Sequence, residues 1–478
     1  MSERLDRVGW GDWGDRILLF LLIIGVTLVR IVVANHVPLI DDEAYYWLWS
    51  RRLDWSYLDH PPLIAWLIAA TTAVADDPLW LRMGPILTGA ATTYVLFLLG
   101  RDLFGSRAGI FAAALFQVIP VLAGGGLLAT PDAPLYLAWT LALRSAWHAI
   151  HGRPVQWIGT GIALGLGMLS KLYMVFLPAG LILFLFTRAR EQLRRRELYA
   201  GGLIALAIFA PVIYWNAVHH WAGVRFILFE RPGGTPTGIR GIIELLAQQL
   251  AFVLVLFFAL VWGLVVAWRR RVEEAYDFLL WTSLPALLFP FLAAAATGAP
   301  HGNWLGPGYL GLIIVLGAAW NRVVAGLAAA NTALIVYGLL VPFLSFLPLL
   351  PGAADVVGWP DAARRVQAEL TRAGKGAIVV ADRYQIASQI GYYLRDTIPV
   401  TILPCPHPAS IWPRPGEFPG TNAITAIDAR WAPAVNWKLF FATIEEASPV
   451  IVRDRGQVVR SFRIFRLRDL RPPVCASW

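Results

Sequence analysis

The chain has 478 residues, of which 58% are hydrophobic and 15% charged, with a mean hydropathy of +0.59. Soluble domains carry about 25% charged and 45–50% apolar residues, so this balance excludes a soluble enzyme and a disordered chain, and two cysteines exclude a disulfide scaffold. A polytopic membrane protein fits, because lipid covers its outside. The formal charge of +9 reads as arginine topology signals rather than a nucleic-acid footprint, and no nucleic-acid partner is expected.

Arg4, Arg7 and Arg16 precede a first apolar run, Ile17–Asn35, long enough as a helix to cross about 30 Å of hydrocarbon. Further predicted spans are Met83–Leu99, Gly109–Ala129, Ala133–Ile150, Val155–Ser170, Leu172–Thr187, Leu198–Trp215, Gly241–Trp268, Ala275–Thr297, Leu305–Trp320 and Val323–Leu350, eleven in all. Leu63–Ala75 is apolar but short, which suits an interfacial helix. Ser170-Lys171 divides Trp157–Thr187 into two spans, and this division puts Arg188, Arg190, Arg194, Arg195 and Arg196 inside. Sixteen Lys and Arg then lie inside against about seven outside, as the positive-inside rule requires. The N-terminus is expected inside and the C-terminus outside. The 22 tryptophans suit anchors at both membrane interfaces.

From Pro351 onward the apolar runs shorten and charges return. Helices are predicted at Asp361–Arg372 and Tyr384–Leu394, and strands at Ala377–Ala381, Ile398–Leu403, Ala423–Ile427, Val450–Arg453 and Val458–Phe465. Residues 351–478 therefore read as an extracytoplasmic α/β domain following a membrane module over 1–350. Cys405 and Cys475 both fall there, in a compartment that permits disulfides; a bridge and two free thiols remain as alternatives.

Ionisable groups are expensive near the bilayer, and here they gather at the outside ends of the spans, in loops at about 36–82, 130–132, 170–171, 216–240 and 298–304. These loops carry Asp41-Asp42-Glu43 with Tyr45-Tyr46-Trp47, Asp59-His60-Pro61-Pro62, Thr130-Pro131-Asp132, Ser170-Lys171, Asn216 with His219 and His220, Arg225, Glu230 and Arg231, and His301 with Asn303. Carboxylates beside cations at a lipid–water boundary suit chemistry on a lipid phosphate. A sugar on a lipid phosphate has a built-in leaving group, since a phosphate monoester has its second pKa near 6. Positive charge must meet the departing phosphate, and one carboxylate must take the acceptor's proton. A single base gives inversion, unlike the carboxylate pair of a glycosidase.

Asp42-Glu43-Ala-Tyr-Tyr-Trp followed by Asp59-His60-Pro61-Pro62-Leu63 resembles the bacterial branch of the GT-C glycosyltransferases, related to protein O-mannosyltransferases and the lipid A aminoarabinose transferase. Thr130-Pro-Asp132, Ser170-Lys171, Pro211–Asn216, and Asn303-Trp304 with Pro307 and Tyr309 follow in that family's order. The resemblance covers the membrane module and matches the outside domain only loosely. It implies a polytopic α-helical GT-C fold of about eleven transmembrane helices. It also implies inverting transfer of one sugar from a polyprenyl-phosphate donor, undecaprenyl phosphate in bacteria, to lipid A, LPS core, another envelope glycan or a protein, at the outer face of the cytoplasmic membrane. Asp42 becomes the base, and Asp132, catalytic with it, matches the family's second acidic position, tied to acceptor placement or to the first loop. Glu43, Tyr46, Asp59, His60, Lys171, Asn216, Arg225, Arg231 and Asn303 become candidate substrate contacts. His60 stands where the lipid A transferase type has lysine, which shifts phosphate binding toward Lys171 and Arg231.

Asp59, His219, His220 and His301 share the face and form a candidate metal set without local ligand spacing; a divalent metal is possible and none is required. Competing readings are a glycolipid transporter, disfavoured by the lack of internal repeats, and a ligase using diphosphate-linked glycans.

Overall fold

The computed structural model describes residues 13–227, 237–298, 301–340, 356–454, 456–471, 473 and 475. Helices fill the chain as far as Leu340: α1 Trp13–His36, α2 Asp41–Ser50, α3 Leu63–Thr72, α4 Pro78–Phe104, α5 Ser106–Val118, α6 Pro120–Gly125, α7 Asp132–Ile150, α8 Gln156–Ser170, α9 Phe176–Arg188, α10 Arg196–Val218, α11 Ala222–Arg225, α12 Gly238–Val253, α13 Leu256–Arg269, α14 Glu274–Ala296, α15 Gly306–Ala318 and α16 Arg322–Leu340. Each predicted apolar stretch contains helix. Among the described residues four helices (α1, α4, α10 and α14) are long and apolar enough to cross a membrane, or five if α12 and α13 form one span bent by 108°. Several stretches are shorter as helices than as sequence because the backbone breaks within them. Gly109–Ala129 divides at Pro120, which lacks the N–H a continuing helix needs. Gly241–Trp268 divides at Leu254, whose φ of 59° leaves the right-handed helix. The stretch Val323–Leu350 is helical to Leu340, and its remainder lies outside the described residues.

The division at Ser170-Lys171 is present. Lys171 is extended (φ −154°, ψ 130°) between α8 and a 3₁₀ turn, Leu172–Val175, that leads into α9. Small residues let the helices approach closely, as membrane helices do. A Cβ on Gly161 would strike the Gly201 carbonyl, so α8 and α10 touch backbone to backbone. Arg30, inside α1, is buried against Gln117, with Nη2–Oε1 at 2.8 Å.

Beyond residue 355 come α17 Trp359–Ala373, β1 Ile378–Ala381, α18 Tyr384–Tyr393, β2 Val400–Ile402, β3 Ala423–Asp428, β4 Phe441–Asp454 and β5 Gln457–Leu470. The sheet runs β2-β1-β3-β5-β4, with β1 parallel to β2 and β3, and β5 antiparallel to β3 and β4. β4 begins well before the predicted Val450. Pro449 concealed it in the sequence, and the edge position and the register shift between Ala447 and Val450 accommodate that proline. Cys405 and Cys475 are disulfide-bonded.

This sheet domain packs directly on the first loop. One core contains Leu39, Tyr45, Trp47 and Trp49 from the loop, and Trp359, Val379, Ile390 and Phe462 from the domain. Gln389 Nε2 donates to the Leu39 carbonyl (3.0 Å) and to Asp41 Oδ1 (2.9 Å), and Arg52 pairs with Asp396 (2.8 Å).

Candidate active site

α2 starts directly after Pro38-Leu-Ile, and its first turn is Asp41-Asp42-Glu43, the end of a helix that favours negative charge. Successive helical residues are rotated by about 100°, so the three carboxylates face different ways. Asp41 meets Gln389 of α18. Glu43 points inward and is fully buried, with Arg82 Nη2 at 2.6 Å from Oε2 and Nε at 2.8 Å from Oε1. The Glu43 carboxylate also accepts the backbone N–H groups of Ile40 (3.2 Å) and Ala129 (2.9 Å). Glu43 is thus engaged by the protein itself and ties the first loop to α4 and to the turn before α7. Asp42, half-buried, accepts the hydroxyl of Tyr384 at 3.0 Å. Tyr384 comes from the sheet domain, and sequence reasoning missed it.

The loop after α2 brings Asp59 to the hydroxyl of Tyr45 at 2.9 Å. The Tyr45 ring in turn lies 5.3 Å from Tyr384 and stacks on Trp412 at 6.0 Å. Tyr46 is buried with its ring 6.1 Å from His60. Burial, and then the charges of Asp42, Asp59 and Asp132, push the Tyr46 phenol well above its ordinary value. Loss of solvent around its hydroxyl, and then Asp42, raise Tyr384 likewise.

Asp132 opens α7, and its side chain does not cap that helix. Its Oδ1 accepts Lys171 Nζ at 2.8 Å and its Oδ2 accepts Asn303 Nδ2 at 2.9 Å, with Asp132 and Lys171 both buried. The neighbouring Ser170 hydroxyl donates to the Pro131 carbonyl. Three turns that the sequence predicted on one face are thus locked together by two side-chain contacts.

Lys171, His60 and Asp59 line a cavity of about 650 Å³ whose other walls are mainly apolar, among them Phe176, Phe289, Leu292 and Trp304. An apolar slot ending in a lysine and a histidine can take a hydrocarbon chain with an anionic head.

Other predicted contacts fall elsewhere. Asn216 is buried and serves its own helix end, with Nδ2 donating to the Val212 carbonyl (3.0 Å) and Oδ1 accepting the Val224 N–H (3.3 Å). Arg225 lines a second, smaller cleft with His219 and His220. Arg231 and Glu230 lie outside the described residues. The candidate metal set is not assembled. Asp59 turns to Tyr45, His219 stacks on Trp215 at 4.2 Å with Nδ1 at the Trp215 carbonyl, and His301 lies 5.6 Å from Trp304. Among the described residues no three His, Cys, Asp or Glu side chains come together as metal ligands.

Residues 59–215 match the family described as dolichyl-phosphate-mannose-protein mannosyltransferase. The chain is 28% identical over 393 residues to the lipid A galacturonosyltransferase RgtD of Rhizobium johnstonii, covering 79% of this chain and 82% of that protein. It is 25% identical over 342 residues to an undecaprenyl phosphate-α-4-amino-4-deoxy-L-arabinose arabinosyl transferase of Pseudomonas fluorescens, covering 64% of this chain and 59% of that one. Among solved structures, ArnT of Cupriavidus metallidurans bound to undecaprenyl phosphate superposes with a TM-score of 0.67 at 16% identity, covering 93% of this chain and 97% of that one. The chain thus has an ArnT-like GT-C fold, mostly helical with a C-terminal sheet domain, and it resembles in sequence the glycosyltransferases of that superfamily.

Proposed function

We propose that this chain is an integral membrane glycosyltransferase that moves one sugar, with inversion, from an undecaprenyl-phosphate donor to lipid A or a related envelope acceptor. The observation that carries this is the apolar cavity ending at Lys171, His60 and Asp59. It suits a prenyl chain, and its polar end connects to Asp42 through side chains in sequence: Asp59 accepts the Tyr45 hydroxyl, the Tyr45 ring lies 5.3 Å from Tyr384, and Tyr384 donates to Asp42. The relatives named above act on lipid A or carry undecaprenyl phosphate in their names.

In the proposed reaction the acceptor hydroxyl attacks the anomeric carbon as its proton passes to Asp42. The bond from that carbon to the phosphate oxygen breaks, and the electron pair leaves with polyprenyl phosphate. Lys171 and His60 meet the charge gathering on that phosphate, where a fixed cation stabilises the transition state. Asp132 and Asn303 act through Lys171: they hold its ammonium in place and are positioning residues. Tyr384, donating to Asp42, favours the ionised base.

The topology that goes with this reading has eleven crossings, the membrane module over 1–350, the domain 351–478 outside and the active site facing out of the cytoplasm. It is supported by the arginine-rich start of α10 lying at the opposite end of that helix from Asn216 and His219. The test offers purified protein in liposomes a panel of undecaprenyl-phosphate sugars with lipid A. Stoichiometric release of undecaprenyl phosphate and a product of inverted anomeric configuration are expected. Retention of configuration, or movement of glycolipid across the bilayer without release, would overturn the reading.

A further inference from the structure

A second cleft, of about 210 Å³, lies between the membrane module and the sheet domain. Its charged or titratable lining residues are all basic: His219, His220 and Arg225 from the end of α10 and α11, and His407 and Arg414 from the segment before β3. Among the described residues no carboxylate lines it. Both walls are built rather than loose. The first is a turn in which His220 and Trp221 are left-handed, at φ 54° and 61°, a conformation side chains other than Gly, Asn and Asp rarely adopt. The second is anchored by the Cys405–Cys475 disulfide, and within it His407 Nδ1 accepts the Ala409 N–H at 3.1 Å and the His407 carbonyl accepts the Ser410 N–H at 2.9 Å.

The cleft adjoins the apolar cavity. α11 is their common wall, because Val224 lines the cavity while Ala222 and Arg225 line the cleft. The two spaces differ in chemistry. The cavity is mainly apolar, with Lys171, His60 and Asp59 among its lining residues. The cleft is smaller than the roughly 300 Å³ at which drug-sized pockets begin, so it takes a headgroup and not a chain. Guanidinium groups recognise phosphate and carboxylate oxygens through paired N–H donors, and imidazoles add further donors.

We infer that this cleft holds an acidic substituent, a phosphate or carboxylate, on the acceptor glycolipid, and so seats the acceptor beside the donor cavity. The inference rests on the glycosyltransferase reading for the identity of the acceptor. The assignment to acceptor rather than donor follows from the cavity, where Lys171 and His60 already provide for the lipid phosphate.

The test uses full-length protein in nanodiscs carrying Asp42→Asn, so that binding is read whether or not the chain transfers sugar. Diphosphorylated lipid A and its dephosphorylated form are titrated separately, and inorganic pyrophosphate is added as a competitor. The comparison protein also carries His220→Asn and Arg414→Gln, both at exposed positions, with asparagine chosen because it tolerates the left-handed turn. The expected result is that diphosphorylated lipid A binds about tenfold or more tightly than the dephosphorylated form, and that the two substitutions remove this difference. Pyrophosphate should compete with the phosphorylated form in the parent and not in the substituted protein, while affinity for undecaprenyl phosphate stays unchanged. Equal affinity for the two glycolipids, an unchanged preference in the substituted protein, or an equal loss of undecaprenyl phosphate binding would each overturn the inference. Binding of pyrophosphate with no preference for the phosphorylated lipid would reduce the cleft to a free-anion site and overturn it also. Failure of the transfer reading alone would show in the sugar-release assay and leave these affinities measurable.

Discussion

The two carboxylates at the heart of the site are held in opposite ways. Asp132 is buried, and each of its oxygens is taken by a side chain, Lys171 on one and Asn303 on the other. Asp42 is half-buried and receives the hydroxyl of a tyrosine from a different part of the chain. A carboxylate committed to a buried lysine holds architecture and aims a cation. One that sits at a boundary and accepts a tyrosine hydroxyl suits a base that must accept a proton. Neighbouring Glu43 makes the same point: one residue along the helix, it is wholly enclosed and neutralised by Arg82.

The comparison breaks most severely at Lys171. Lys171→Met removes the cation that the proposed reaction sets against the donor phosphate and leaves Asp132 buried without its ion-pair partner. Breaking a buried pair costs about 3–5 kcal/mol, and losing one such transition-state contact costs about 10²–10³ in rate. Adding Asp132→Asn should recover much of the thermal stability and none of the activity, which a melting curve and a transfer assay on the same preparations separate. Glu43→Gln should behave differently, because Arg82 is then left charged and buried. A loss of about 3–5 kcal/mol is expected, visible as poor recovery of folded protein, with near-normal specific activity in the folded fraction.

Tyr384→Phe sharpens the contrast without disturbing packing. A hydrogen bond to an ionised carboxylate favours the charged form, so its loss raises the Asp42 pKa. The acid limb of the pH–rate profile should move to higher pH by about one unit, given about 1.5 kcal/mol for a hydrogen bond to a charged group. A fall in rate with no movement of that limb would make Tyr384 a packing residue only.

The smallest effect concerns the sheet domain alone. Burial would raise Asp428, but hydrogen bonds from Arg430 and the charges of Arg460 and Arg430 hold it below its usual 3.8. The Arg466 hydrogen bond holds Glu369 below its usual 4.5 despite burial. Both folded values are depressed, so the stability they contribute is complete above about pH 4.5 and is lost as pH falls through the lowered values. The domain's melting temperature should therefore be level from neutral pH to near 5 and drop below 4. Asp428→Asn should flatten part of that drop.

Much of this arrangement was legible in the sequence because membrane proteins place ionisable residues sparingly. Asp132, Lys171 and Asn303 could each be put on the same face by counting spans. Their mutual contacts could not, since three turns separated by 39 and 171 residues meet only through packing. Glu43 was read with Asp42 because the two are adjacent, and helical rotation sends them to opposite surroundings. Tyr384 was hidden by distance, 342 residues from its partner and in a helix with no chemical motif of its own. The signal that could have found it is the run Tyr384-Gln-Ile-Ala-Ser-Gln389, in which Tyr384 and Gln389, five residues apart, both bond the first loop. The basic cleft was half visible: His219, His220 and Arg225 were marked, but His407 and Arg414 come from a loop brought there by the domain's docking.

The most direct test of the account is a single-turnover experiment on Asp42→Asn, with labelled undecaprenyl-phosphate sugar bound first and acceptor added second. Donor binding should match the wild type while sugar transfer falls by about 10²–10⁴, the range for losing a general base. Transfer at the wild-type rate from the same bound donor would contradict it, leaving Asp42 a structural residue at the foot of Tyr384.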